Sequence, residues 1–245
     1  MLGIIYGLIS MFGFGISNAI AKVPSSAIGS RKTIFYRGMG ISFVMLVLLI
    51  VFREGVVWSV PYMLLAIAIA IFAYIPFATF YHALTKGSVG VVSPIANSSV
   101  IITVLLSVLF FGEGLAVLAW AAIGAIVLGI VLLSVDFQDI KRSHLFDIAS
   151  GIPYAMVSCL LWGVVFFLFK IPVTVLGPIL TTFLIETGVW LSSYVHTRIG
   201  KISLRLPTRR ILWSILVVAI FGSLGTLFFN LYRKISPHYP VPSSS

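Results

Sequence analysis

The sequence predicts an all-α integral membrane protein: a multi-span bundle of two inverted five-helix repeats, the second incomplete, with about eight transmembrane helices. Three observations predict it. The chain is 60% hydrophobic and 9% charged, where an ordinary soluble domain carries roughly 25% charged residues. It starts over at residue 151. Its basic residues fall mainly on one side of the predicted membrane.

Uncharged runs place the spans. Residues 1–21, 55–85, 87–112, 114–135, 148–169 and 211–232 contain no Asp, Glu, Lys or Arg. A spanning helix needs about 20 apolar residues. Runs at 38–52 and 171–197 complete two further spans, interrupted by Arg37 and Glu186. The expected spans are 2–22, 31–52, 60–84, 88–111, 115–135, 151–171, 176–196 and 210–231. Backbone in lipid must satisfy its own hydrogen bonds, so helices are the expected form. Strands of a barrel would alternate over about ten residues, and these runs do not. The first span ends on a small-residue site, Ala19-Ile20-Ala21, but lacks a basic leader and has an internal copy, so it reads as a retained helix.

The copy is read by sliding the sequence 148 positions. Gly3, Ile4, Tyr6, Ser10, Gly15, Lys22, Pro24, Gly29, Thr33 and Phe35 then meet Gly151, Ile152, Tyr154, Ser158, Gly163, Lys170, Pro172, Gly177, Thr181 and Phe183. Further on, Ala70-Ile71-Phe72 meets Ala219-Ile220-Phe221 at a shift of 149. Residues 1–135 form the first repeat, 136–150 a connecting loop, 151–231 the incomplete second repeat and 232–245 a polar tail. The second copy lacks counterparts of the fourth and fifth spans. It reads as a fragment or early stop of a ten-helix protein, or as an eight-helix protein that completes its pathway as a homo-oligomer.

Charge gives the inversion. Twelve of the 16 Lys and Arg lie in loops on one side when successive loops alternate. The loop after the first span is basic and the next is poor, and in the second copy the order reverses. Five intervening helices turn the second copy over. The positive-inside rule then leaves the N-terminus outside. A net charge of +10 could suit nucleic acid, but basic residues beside spans set topology and touch anionic lipid head groups, so membrane lipids are the expected partner and nucleic acid is not.

The stretch Ala83-Leu84, Ser93-Pro94-Ile95 and Phe111-Gly112-Glu113 resembles the middle of an EamA domain. Gly124 and Gly129 in the fifth span, Trp162-Gly163 in the sixth and Arg37 in the second fit the same pattern. The resemblance implies the drug/metabolite transporter superfamily: ten helices in two inverted five-helix repeats, a central pathway lined mainly by helices 1–4 and 6–9, and both termini in the cytoplasm. That last point conflicts with the charge count. The resemblance implies movement of amino acids, other metabolites or drugs. The expected function is secondary transport by alternating access between the repeats in the cell membrane, with proton-coupled export through Glu186 as its specific version; the alternative is a truncated, non-transporting membrane protein.

Glu186 is the sharpest site candidate. A carboxylate near mid-membrane costs about 2.5–3.5 kcal/mol on insertion scales, so it faces a cavity or a partner. Proton coupling and binding of a substrate ammonium are its functional readings; a structural anchor is the plain one. Arg37 aligns with Ile185 and so stands beside Glu186 across the repeat. It could pair with Glu186, grip a substrate carboxylate, or snorkel to the interface. Asn97, Ser98 and Ser99 form a polar cluster within the fourth span that lines a pathway or bonds a neighbouring helix. Asn18, Tyr81, His82, Trp162 and Asn230 are weaker candidates, with Trp and Tyr near span ends usually belt residues. Lys22 and Lys170, each two residues before a proline, read as charged helix ends with a Pro turn, and Glu113 as interfacial. The sole cysteine, Cys159, forms no internal disulfide, and the sequence has no Walker loop, HExxH or cysteine pair. No cofactor and no metal are expected, and the missing catalytic constellation argues against an enzyme.

Overall fold

A computed structural model describes residues 2–52, 56–112, 117–134 and 150–235. Residues 136–149 of the expected connecting loop, 236–245 of the expected polar tail, and Glu113 lie outside the described residues; 232–235, expected in the tail, instead continue the last helix. The helices are α1 (Leu2–Ile28), α2 (Ser30–Val51), α3 (Val60–Lys86), α4 (Val89–Asn97), α5 (Ser99–Phe111), α6 (Val117–Ser134), α7 (Ile152–Leu176), α8 (Pro178–Ile199) and α9 (Arg209–Ile235). Among the described residues six spans are long and apolar enough to cross a membrane: α1, α2, α3, the α4–α5 pair, α7 and α9. The sequence suggests eight. In α8 the carboxylate of Glu186 and the hydroxyls of Thr181, Thr182, Thr187, Ser192, Ser193 and Thr197 dilute an otherwise apolar helix.

Two boundaries differ from expectation for one reason. The first and sixth spans run on past Lys22 and Lys170, through Pro24 and Pro172, to Ile28 and Leu176. Proline is tolerated in a membrane helix when neighbours satisfy the freed backbone, so Lys-x-Pro is not the turn here. The turn is a single glycine. Gly29 has φ 85° and Gly177 has φ 82°, backbone that costs an L side chain strain. Each donates the last helical bond (Gly29 N–H to Ser25 O at 3.0 Å, Gly177 N–H to Val173 O at 3.1 Å), and its carbonyl accepts from the next helix, at 3.2 Å from the N–H of Thr33 and of Thr181. The third correction is a break in the fourth span. Pro94 lies inside α4, and the helix stops at Ser98, whose hydroxyl donates to Pro94 O at 2.8 Å.

Helix directions follow from contacts. Tyr6, Ser10 and Ser17 on α1 meet Phe228, Gly225 and Val218 on α9, so the two run oppositely. Phe35 and Arg37 on α2 meet Tyr194 and Glu186 on α8, also opposite. Ser158 and Tyr154 on α7 meet Pro76 and His82 on α3, opposite again. The pairs α2 with α9 (Tyr36 with Ile215, Gly40 with Ala219) and α3 with α8 (Ala70 with Gly188, Tyr74 with His196) run in parallel. Taken around the bundle, these relations set α7 antiparallel to α1. The second copy is upside down, as the charges imply.

The contacts also repeat. Ser10 Oγ donates to Gly225 O at 2.9 Å, and Ser158 Oγ to Pro76 O at 2.8 Å. A Cβ on Gly40 would press on Ala219 Cβ, and one on Gly188 would press on Ala70 Cβ. Phe14 meets Phe229 as Trp162 meets Phe80. Each member of a pair is displaced 148 residues in α1 and α2, and 149 in α3. The bounds of α2 and α8, and of α3 and α9, show the same two displacements, so the extra residue falls between them. A two-fold axis therefore exchanges α1 with α7, α2 with α8 and α3 with α9.

Candidate functional site

The axis runs through the crossing of α2 and α8, and the buried charges stand there. Arg37 is 2% exposed and Glu186 is 2% exposed. Arg37 Nη1 donates to Glu186 Oε2 at 3.0 Å and Nη2 to Oε1 at 3.3 Å, a two-pronged grip. Thr226 Oγ1 donates to Glu186 Oε1 at 3.3 Å. The Arg37 guanidinium lies 4.4 Å from the centre of the Phe77 ring, and the Tyr81 ring centre stands 6.5 Å from that of Phe77. Beside Glu186's helical neighbour Thr182, Asn230 Nδ2 donates to Thr182 Oγ1 at 2.7 Å. The snorkelling alternative for Arg37 is thus overturned: Gly29 makes the turn, which places Arg37 two helical turns inside α2.

The two charges have different surroundings at equivalent places. Phe77 and Tyr81 on α3 correspond to Thr226 and Asn230 on α9. The cation lies over the Phe77 ring and the anion accepts from the Thr226 hydroxyl, which is the chemistry each sign requires.

The other candidates form a second group. Asn18 on α1 donates to Asn97 Oδ1 on α4 at 3.4 Å. Asn97 is exposed and Asn18 half-buried, and both stand at the Ser98 break. Ser99 is buried, and its carbonyl accepts from Thr103, which also donates to Gly163 O at 3.1 Å. So Ser99 belongs to the α5–α7 packing, and Ser98 is spent on its own helix end. The polar face of the cluster is Asn97 with Asn18.

Trp162 and Tyr81 are not belt residues; both are buried. Trp162 contacts Phe77, Phe80 and Phe166, and its Nε1 has no hydrogen-bond partner among the described residues. Phe166 also meets Phe229, which meets Phe14. An aromatic chain therefore joins α1, α9, α7 and α3 and ends at Arg37. Lys22 and Lys170 are not chain-turn charges: Lys22 donates to Gly87 O at 2.5 Å, and buried Lys170 lies 4.3 Å over the Phe111 ring. Sequence reasoning missed Thr226, Phe77 and Phe166. Extending the 149-residue shift from Ala70 through α3 would have set Phe77 against Thr226 beside the charged positions.

A family model described as the EamA-like transporter family matches residues 1–135. An uncharacterized protein of Methanocaldococcus jannaschii is 30% identical over 133 residues, which is 54% of this chain and 96% of that protein. With its apolar helices and inverted packing, the chain is an integral membrane protein that belongs to the EamA-like transporter family of the drug/metabolite transporter superfamily.

Proposed function

We propose that the chain is a secondary transporter of small organic solutes, amino acids and drugs being the classes to test first, exporting them from the cell by alternating access between its two inverted copies. The observation that carries this reading is the two-fold repetition of contacts about the α2–α8 crossing, because related but inverted halves allow one structure to face either side of a membrane. The solute path lies where α1 and α4 present Asn18 and Asn97 at a broken helix, with the aromatic chain from Phe14 to Tyr81 as its wall.

Glu186 is assigned to the framework and not to the path, since Arg37 and Thr226 occupy its oxygens. Solute flux in proteoliposomes under an imposed pH gradient tests both statements. Uptake or efflux of an amino-acid and cationic-drug panel supports transport; no flux above empty vesicles refutes it for this chain. A pH dependence that Glu186→Gln abolishes in folded protein would return the carboxylate to a proton-coupling role.

One observation favours a second reading. A Cβ on Gly163 would meet Ile102 at 2.5 Å, because α5 packs there, whereas its counterpart Gly15 has nothing within 4 Å among the described residues. Among those residues the α1 side of the path is unwalled where the α7 side is walled. In this second reading the chain alone does not transport, and a further helix pair, from another copy or from additional chain, closes the α1 side. Flux that appears only with such a supplement would select it.

A further inference from the structure

We infer that the α2–α8 crossing, pinned by Arg37 and Glu186, is a fixed pivot that stays closed in both facing states. The pair then positions the two halves and never contacts solute. This rests on the alternating-access reading and adds to it a part that does not move.

Symmetry supplies the reason. When inverted copies exchange conformations, every contact takes on the geometry of its two-fold mate. The α1–α9 contact becomes what α7–α3 was, and α2–α9 becomes what α8–α3 was. Those contacts are free to differ between states. The α2–α8 contact has no separate mate: the operation carries it onto itself. Within that crossing the positions of Arg37 and Glu186 map onto those of Ile185 and Gly38, one residue along, so the operation returns the same pair of helices. Both pairs of positions stand next to the axis.

The local chemistry agrees with a part that never opens. Both ions are buried, with side chains 3% exposed. Opening the pair would strand two charges in a low-dielectric interior. The helices also touch by backbone at this place. A Cβ on Gly38 would lie 3.0 Å from Trp190 Cβ and 3.2 Å from Trp190 Cα, so α2 and α8 cannot approach further. Phe35 packs on both Trp190 and Tyr194 one turn away. In contrast, Asn18 and Asn97 join α1 to α4 through a long 3.4 Å hydrogen bond. The structure is stiff on the axis and weakly tied at the path.

The test uses the full chain in sealed vesicles, with Cys159→Ala as background and Asn18→Cys as reporter for a membrane-impermeant maleimide applied to either side. Two changes are then made separately. One cross-links the pivot by oxidising Gly38→Cys with Trp190→Cys. The other replaces the charges by a neutral pair of similar volume, Arg37→Met with Glu186→Met, which keeps the contact if the cross-link variant fails to fold. The expected result is labelling from both sides in the parent, unchanged by either modification. Labelling confined to one side after cross-linking overturns the pivot. Loss of two-sided labelling in the folded Met pair also overturns it, since the charges would then be used in the cycle. One-sided labelling already in the parent removes the alternating-access reading, and the pivot with it; that outcome is recognised because it precedes any change at the crossing.

Discussion

Glu186→Met should be among the more damaging single substitutions in this protein, and adding Arg37→Met should repair most of it. Removing one partner of a buried pair costs about 3–5 kcal/mol, because the other charge is left in the interior. The surroundings predict which single change is worse. After Glu186→Met, Arg37 keeps the Phe77 face at 4.4 Å, worth about 0.5–2 kcal/mol, so the loss should sit near 3 kcal/mol. After Arg37→Met, Glu186 keeps the weaker 3.3 Å bond from Thr226, and the loss should approach about 5 kcal/mol. These correspond to roughly 150-fold and 5,000-fold in the folded-to-unfolded ratio. The double Met variant should unfold within about 2 kcal/mol of the parent, since a packed apolar pair often replaces a buried ion pair at little cost. The assay is unfolding in mixed micelles by SDS titration, followed by tryptophan fluorescence, with Trp162 and Trp190 both near the site. Additive losses in the double variant, or single losses below about 1 kcal/mol, would show that the pair is not the closed, desolvated contact described.

Three further outcomes are expected. Gly163→Ala should destabilise by about 1–3 kcal/mol by overpacking against Ile102, while Gly15→Ala should be neutral or gain up to about 1 kcal/mol of helix propensity; the same SDS titration compares the two. Gly29→Ala and Gly177→Ala should each lose about 1–2 kcal/mol and by similar amounts, since both turns use the same left-handed backbone; a large difference in midpoint shift would mean the two hairpins are not equivalent. Asn18→Ala and Asn97→Ala should each weaken solute flux in proteoliposomes while lowering stability by only about 0.6 kcal/mol, because their 3.4 Å bond is long and partly open; unchanged flux in both would move the path elsewhere.

Much of this architecture is legible in the amino-acid sequence. Lipid demands long uncharged helices, so the spans announce themselves, and ten shared residues reveal the repeat. Arg37 and Glu186 are legible as neighbours because equivalent depths face one another across the axis. Two kinds of detail are not legible. Hydropathy locates where a chain crosses the membrane but not where a helix ends, so Lys22-Val23-Pro24 resembles a turn when a single glycine five residues after Pro24 makes it. The break at Ser98 is hidden for a related reason. Pro94 can sit in a continuous membrane helix or end one, and only the neighbours decide. The hydroxyl partner of Glu186 is obscure because Thr226 resembles an ordinary polar residue of an apolar helix until the repeat sets it opposite Phe77.

The separation of the axial charges along the chain has a consequence for biogenesis. Arg37 and Glu186 are 149 residues apart. At about 5–20 residues per second, a ribosome needs roughly 7–30 s to deliver the carboxylate after the guanidinium has been made. Through that interval α2 carries a cation whose insertion is unfavourable by about 2.5–3.5 kcal/mol. Phe77 arrives earlier and offers its ring, but the neutralising group comes only with α8. Until then the cation of α2 has no counter-charge, so α2 is expected to take its final depth only when α8 arrives, out of the order in which the helices are made.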